Sequence, residues 1–227
     1  MIDAGSLAQH LADVRARIDA AAARVGRDAG TVQPVAVTKG HPPEMLLAAY
    51  DAGLRLFGES YAQELAEKAA AVAHLPGTGI RLIGHLQRNK AALAVRHAAS
   101  VDTVDSARLA RTLARLAAEA GRQLPVLIQV NLGGEAQKSG CTPEELPALV
   151  AEVRALGALS LRGLFTVPPH DEDPERARPF FRRLRELAAD GGLRELSMGM
   201  THDFEVAVEE GATMVRIGTA LFGPREP

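Results

Sequence analysis

The sequence predicts an α/β fold: a single (β/α)8 barrel of the TIM type with an additional N-terminal helix. Three observations carry the prediction. Eight short apolar runs alternate with amphipathic stretches, and that alternation dictates right-handed crossovers and a parallel sheet. The length of 227 residues suits one closed barrel of this kind. No GxGxxG follows any of the runs, which argues against an open, doubly wound sheet that binds a dinucleotide. No linker and no shift of composition divides the chain, so residues 1–227 read as one domain.

The first helix is marked by Leu7, Leu11, Val14, Ile18 and Val25 at helical spacing, with Ser6 and Gln9 as a capping pair and Gly26 as the stop. The strands follow at 32–38, 54–57, 80–83, 100–104, 125–130, 160–166, 195–198 and 213–217. The clearest helices between them span 106–120 and 174–189. In the latter, Phe180, Phe181 and Leu184 face the barrel, and Arg182, Arg183 and Arg185 form a solvated face.

Composition excludes several classes. A hydrophobic fraction of 47% rules out disorder, and 21 Gly with 13 Pro rule out a coiled coil. A net charge of -2 from 26 basic and 28 acidic residues gives nucleic acid no basic footprint to bind. The one cysteine, Cys141, has no intramolecular partner and points to a reducing compartment. The N-terminus lacks the basic leader and apolar core of a signal peptide, and no run approaches the roughly 20 apolar residues of a membrane span. A cytoplasmic protein, bound to neither nucleic acid nor membrane, is expected.

In a parallel barrel the chemistry sits at the C-terminal ends of the strands. Strand 1 runs into Lys39, and the two-residue period puts Val35, Val37 and Lys39 on one face. Only four of the 26 basic residues are lysines (Lys39, Lys68, Lys90 and Lys138), in a chain that otherwise uses Arg. A lysine amine, unlike a guanidinium, is nucleophilic once neutral, and desolvation favours the neutral form. Lys39 is therefore placed to attack an aldehyde or ketone; an exposed loop lysine is the plainer alternative.

Strand 8 places Met214, Arg216 and Gly218 on one face, and Thr219 adds a hydroxyl and an N–H. Strand 7 ends with Ser197, Gly199 and Thr201 at the same corner, where barrels commonly hold phosphate. Small residues that merely build tight turns are the competing account. The run His170-Asp171-Glu172-Asp173 reads as a solvated loop rather than a metal site, Asp203 as the start of a helix, and Cys141 as a spectator thiol.

A nucleophilic lysine on strand 1 with a phosphate corner at strands 7 and 8 is the layout of fold-type III pyridoxal phosphate proteins. The sequence resembles the pyridoxal phosphate homeostasis proteins, single-domain relatives of the alanine racemase N-terminal barrel. The segments that carry the resemblance are VAVTKGHP at 35–42, LFGESYAQE at 56–64, LIGHLQRNK at 82–90, VLIQVNLGGEAQKSG at 126–140, LRGLFTVPP at 161–169 and SMGMTHDFEVAVEEGATMVRIGTALFG at 197–223. The resemblance implies that Lys39 carries pyridoxal 5'-phosphate as an internal aldimine. It further implies that Ser197, Thr201, Gly218 and Thr219 hold the phosphate and that Arg216 meets the pyridine nitrogen. An Arg there donates a hydrogen bond to an unprotonated ring, which makes the cofactor a weak electron sink. Ser60 stands where many relatives have Asn and Arg81 where they often have His; both positions are expected to approach the cofactor. Thr38 and Thr201 replace the more usual serines and keep a hydroxyl.

The resemblance favours a non-catalytic protein that buffers pyridoxal phosphate or delivers it to apo-enzymes. The alternative is an amino-acid racemase of low activity. Racemisation needs a base on each face of the substrate; the racemases resembled here take the second from a Tyr brought by a second domain and a partner subunit. Only Tyr50 and Tyr61 exist in this chain, and Tyr61 is the nearby candidate. Without that second domain a monomer is expected. A Schiff-base aldolase acting on a sugar phosphate needs the same Lys and corner but leaves the family resemblance unexplained. Lys138, after strand 5, is a further candidate for receiving the cofactor transiently, against the reading of a surface lysine.

Overall fold

The computed structural model describes residues 4–135 and 137–223. Eight parallel strands close into a barrel in chain order: β1 (Gln33–Val37), β2 (Leu56–Glu59), β3 (Gly79–Leu82), β4 (Ser100–Val104), β5 (Leu124–Gln129), β6 (Leu159–Phe165), β7 (Glu195–Met200) and β8 (Met214–Ile217). β8 closes the ring on β1, with Val35 opposite Arg216. All eight predicted strands are present, displaced by at most two residues at either end.

The outer helices are α1 (Ala4–Arg24), α2 (Pro43–Asp51), α3 (Ala62–Val72), α4 (Ala91–His97), α5 (Ala107–Glu119), α6 (Leu146–Ala155), α7 (Arg178–Asp190), α8 (Phe204–Glu209) and the single turn α9 (Thr219–Phe222). α1 is the helix outside the eightfold repeat, and Leu7, Leu11, Val14 and Ile18 bury its inner face. It ends as predicted: Gly26 takes φ 68°, and the N–H of Arg27 returns to the Ala22 carbonyl, which satisfies the last turn. Ser6 lies inside α1 rather than capping it. Ser106 does cap α5, its hydroxyl accepting from the Leu109 N–H. Arg182 and Arg185 are not simply solvated: with Arg178 they converge on the buried carboxylate of Glu210 and tie α7 to α8.

Two cores follow from the strand period. Side chains pointing out of the ring pack under the helices in one large cluster that includes Ala36, Phe57, Leu82 and Met198. Those pointing in form a small cluster of Val35, Leu127, Phe165 and Met214, with Leu56, Ile83 and Val167 against it. Gly58 makes room inside the ring, since a Cβ there would lie 2.8 Å from Ile83 Cδ1. Among the described residues, no helix is long and apolar enough to cross a membrane.

Candidate functional site at the barrel mouth

The small inner core fills the barrel beneath its C-terminal mouth. Lys39 lies two residues beyond β1, in a turn closed by the His41 N–H bonding to the Thr38 carbonyl, with Gly40 at φ 74°. Val35 is in the inner core, so the alternation carries Lys39 toward the mouth. Its side chain is half-buried and, among the described residues, makes no hydrogen bond or ion pair.

On the neighbouring strand β8, in register with Val35, Arg216 is buried inside the ring. Its Nη1 donates to Ser197 Oγ (3.1 Å) and its Nη2 to the Thr166 carbonyl (2.8 Å), and the guanidinium carbon sits 4.1 Å from the Phe165 ring centroid. Burial lowers the Arg216 pKa to about 10, opposed by the charges of Asp203 and Asp102. Asp203 is buried as well. Burial raises its carboxyl pKa against the Met200 N–H that it accepts at 2.6 Å and the nearby Arg216 charge. That bond folds residues 200–203 into a tight turn and holds Thr201 at the rim, half-buried.

Gly218 follows β8 directly, and a Cβ there would meet only Val37, at 3.7 Å. The protein leaves that space open. Thr219, exposed, begins α9, whose first N–H groups have no intrahelical partner. The mouth therefore offers an unpartnered amine, a buried fixed cation, hydroxyls and open space at a glycine. That donor set fits a phosphorylated aldehyde with a ring nitrogen.

The other predicted residues divide. Ser60, half-buried, turns the chain after β2 and packs so closely on Gly84 that a Cβ there would lie 2.2 Å from the Ser60 carbonyl oxygen. Arg81 departs from the expectation. It points into the ring but is claimed from two sides, by Asp102 (Nε to Oδ2 2.7 Å, Nη2 to Oδ1 2.9 Å) and by Glu195 (3.6 Å). Glu195 is the first residue of β7, so one side of the Arg81 guanidinium is tied to the N-terminal end of that strand. A guanidinium already bidentate to a buried carboxylate stays there, because separating the two would strand both charges. Lys138 is likewise engaged, with Glu135 (2.5 Å) and the Pro168 carbonyl (3.0 Å); Ala136, in the same loop, lies outside the described residues. Burial pushes the Cys141 thiol up to about 12, which makes it inert as a nucleophile.

One group escaped sequence reasoning. Behind the Lys39 turn, on the helix side of the strands, the buried Glu59 and Lys68 form a cluster with the part-exposed Glu64. Lys68 Nζ donates to the Thr38 carbonyl (2.7 Å), Glu59 Oε1 (2.7 Å) and Glu64 Oε2 (3.0 Å). The scarcity of lysine had marked Lys68, but α3 hides the residue it serves.

A closed parallel barrel with its open face around Lys39 and Arg216 is the architecture of the alanine racemase N-terminal domain, and that family's model matches residues 9–226. Curated relatives narrow the class. A pyridoxal phosphate homeostasis protein of Pseudomonas aeruginosa is 45% identical over 97% of this chain and 96% of its own length, and one of Aquifex aeolicus is 40% identical over 96% and 98%. Among solved structures, PipY of Synechococcus elongatus with pyridoxal phosphate bound superposes with a TM-score of 0.84 at 37% identity, over 96% of this chain and 100% of PipY. The chain belongs to the pyridoxal phosphate homeostasis protein family.

Proposed function

We propose that this protein binds pyridoxal 5'-phosphate at the barrel mouth and holds it covalently through Lys39, storing the cofactor and passing it to apo-enzymes in the cytoplasm. The observation that carries the reading is the half-buried Lys39, without a partner among the described residues, at the end of the strand paired with that of Arg216. The cofactor supplies an aldehyde carbon. Lys39 would hold that carbon as an imine, with loss of water. Ser197, Thr201, Gly218 and Thr219 hold the phosphate, Ser60 approaches the cofactor, and Arg216 donates to the ring nitrogen. Arg81 is left out, because Asp102 and Glu195 already occupy it.

A carrier fits better than an enzyme. The curated relatives are named for homeostasis rather than a reaction. Tyr61, the candidate second base, is 62% exposed and outside the ring, where it lines a cleft with His85, Gln87 and Lys90. Residues 1–227 act as one domain and as a monomer in this reading.

The test is to incubate the chain with pyridoxal phosphate, reduce with borohydride and map the modified peptide. Cofactor fixed to Lys39, with that product gone in Lys39→Ala and no racemisation of added L-alanine, supports the reading. Wild-type protein fixed at other lysines only, or unmodified, refutes it. Efficient racemisation refutes the carrier role alone.

A further inference from the structure

The cluster behind the Lys39 turn touches the backbone on both sides of the nucleophile. On the N-terminal side, the Thr38 carbonyl accepts from Lys68 Nζ at 2.7 Å, and Thr38 Oγ1 donates to Glu59 Oε1 at 2.6 Å. On the C-terminal side, the Gly40 N–H donates to Glu64 Oε2 at 2.9 Å, the same oxygen that accepts from Lys68 at 3.0 Å. Three acceptors use all three N–H groups of one ammonium. Thr38 and Glu59 are fully buried and Lys68 nearly so, which shields the Thr38 side of the cluster from water, while Glu64 and Gly40 lie nearer the surface.

Side-chain parity separates this cluster from the mouth. Ala36 and Phe57 belong to the outer core, so Thr38 and Glu59, two residues on, also point toward the helices. None of the three charged groups is aimed into the ring; they act on Lys39 only through its backbone.

We propose that Lys68, braced by Glu59 and Glu64, is a positioning residue that clamps Thr38 and Gly40 and thereby sets where Lys39 Nζ stands relative to the aldehyde carbon. The clamp suits the task. A lysine has four rotatable bonds, and its reach is defined only if its Cα is fixed. A misplacement of about 1 Å at a reacting centre lowers a rate on the order of 10²-fold. The charges suit it too. Glu59 Oε2 has no hydrogen-bond partner, and burial raises that carboxyl against the lowering bonds from Lys68 and Thr38. Glu64 is held below the usual carboxylate range by the Gly40 N–H and Lys68, which outweigh its burial. Glu64 therefore stays an anion to bind the turn.

This inference rests on the proposed function, and the experiment separates the two. Wild type, Glu64→Ala, Glu64→Gln and Lys68→Met are compared in three ways: the rate at which borohydride fixes pyridoxal phosphate at Lys39, the affinity for pyridoxine 5'-phosphate, and hydrogen exchange of the Gly40 amide. Pyridoxine phosphate has an alcohol in place of the aldehyde, so it reports the phosphate and ring contacts without the covalent bond. In Glu64→Ala, fixation slows by about tenfold or more, pyridoxine phosphate binds as in wild type, and Gly40 loses protection. Glu64→Gln, whose Oε1 still accepts from Gly40, restores the rate. Equal losses for both ligands mean a merely structural role and overturn the proposal, as does undiminished fixation in Glu64→Ala. A wild-type chain that never reacts at Lys39 overturns the function first and the clamp with it.

Discussion

Lys68→Met lowers the melting temperature by on the order of 10 °C, as measured by thermal unfolding at neutral pH. Removing one partner of a buried ion pair costs about 3–5 kcal/mol, because the other charge is left without compensation, and a kcal/mol shifts the midpoint by roughly 2–4 °C in a domain of this size. Here the abandoned partner is Glu59, fully buried, whose Oε1 keeps only the Thr38 hydroxyl. The loss depends on pH in a definite direction. The Glu59 carboxyl is raised by burial, so its contribution to stability is present below the unfolded pKa and disappears as pH rises through the folded one. Without Lys68 its hydrogen bond and its charge no longer lower the carboxyl, only the Thr38 bond does, and the folded pKa climbs further. Glu64 works the other way. Its pKa is lowered, so its contribution exists above the unfolded value and fades as pH falls; losing Lys68 shrinks that contribution at neutral pH. Both effects make the variant weakest at neutral and alkaline pH and bring it back toward wild type on acidification. The double variant Lys68→Met/Glu59→Gln, which buries no charge, recovers most of the midpoint. A stability difference that stays constant from about pH 8 to pH 5 contradicts this account.

The barrel was legible because its signals are local. The strand 100–104 is matched to the residue, and the run into Lys39 alternates inward valines with outward residues in a way only a strand end explains. Gly26, needed at positive φ, marked its helix end from sequence alone. What stayed hidden depends on contacts between elements. Arg81 was expected near the cofactor on family resemblance, but the sequence does not reveal that Asp102 on the neighbouring strand and Glu195 across the ring already claim it. Lys68 stood out only as one of four lysines, and nothing in the sequence pairs it with Glu59 until α3 is docked over β2. Likewise Arg182 and Arg185 read as solvated until α8 brought Glu210 beneath them. Periodicity decides which face a side chain takes; it says nothing about which charge waits there.

Arg216→Glu, paired with Asp203→Asn, is expected to speed half-transamination at the barrel mouth, on the proposed reading that Arg216 meets the ring nitrogen. In the native chain the Arg216 pKa, lowered by burial to about 10, still favours the protonated guanidinium roughly 10³-fold at pH 7. It is therefore a permanent donor, anchored by Ser197, the Thr166 carbonyl and the Phe165 face. On the proposed reading, a ring nitrogen meeting such a donor stays unprotonated and withdraws few electrons from a substrate carbon. A carboxylate in the same place protonates the ring. The second substitution is needed because Asp203 would otherwise lie beside a second buried acid and force a shared proton. The double variant is expected to lose several kcal/mol of stability, since the buried Thr166 carbonyl and Ser197 hydroxyl lose their donor. It also gains about tenfold or more in the single-turnover conversion of L-alanine and bound cofactor to pyruvate and pyridoxamine phosphate, a factor that only about 1.4 kcal/mol of added stabilisation supplies. If the variant still fixes cofactor at Lys39 and shows no such gain, Arg216 does not govern the ring.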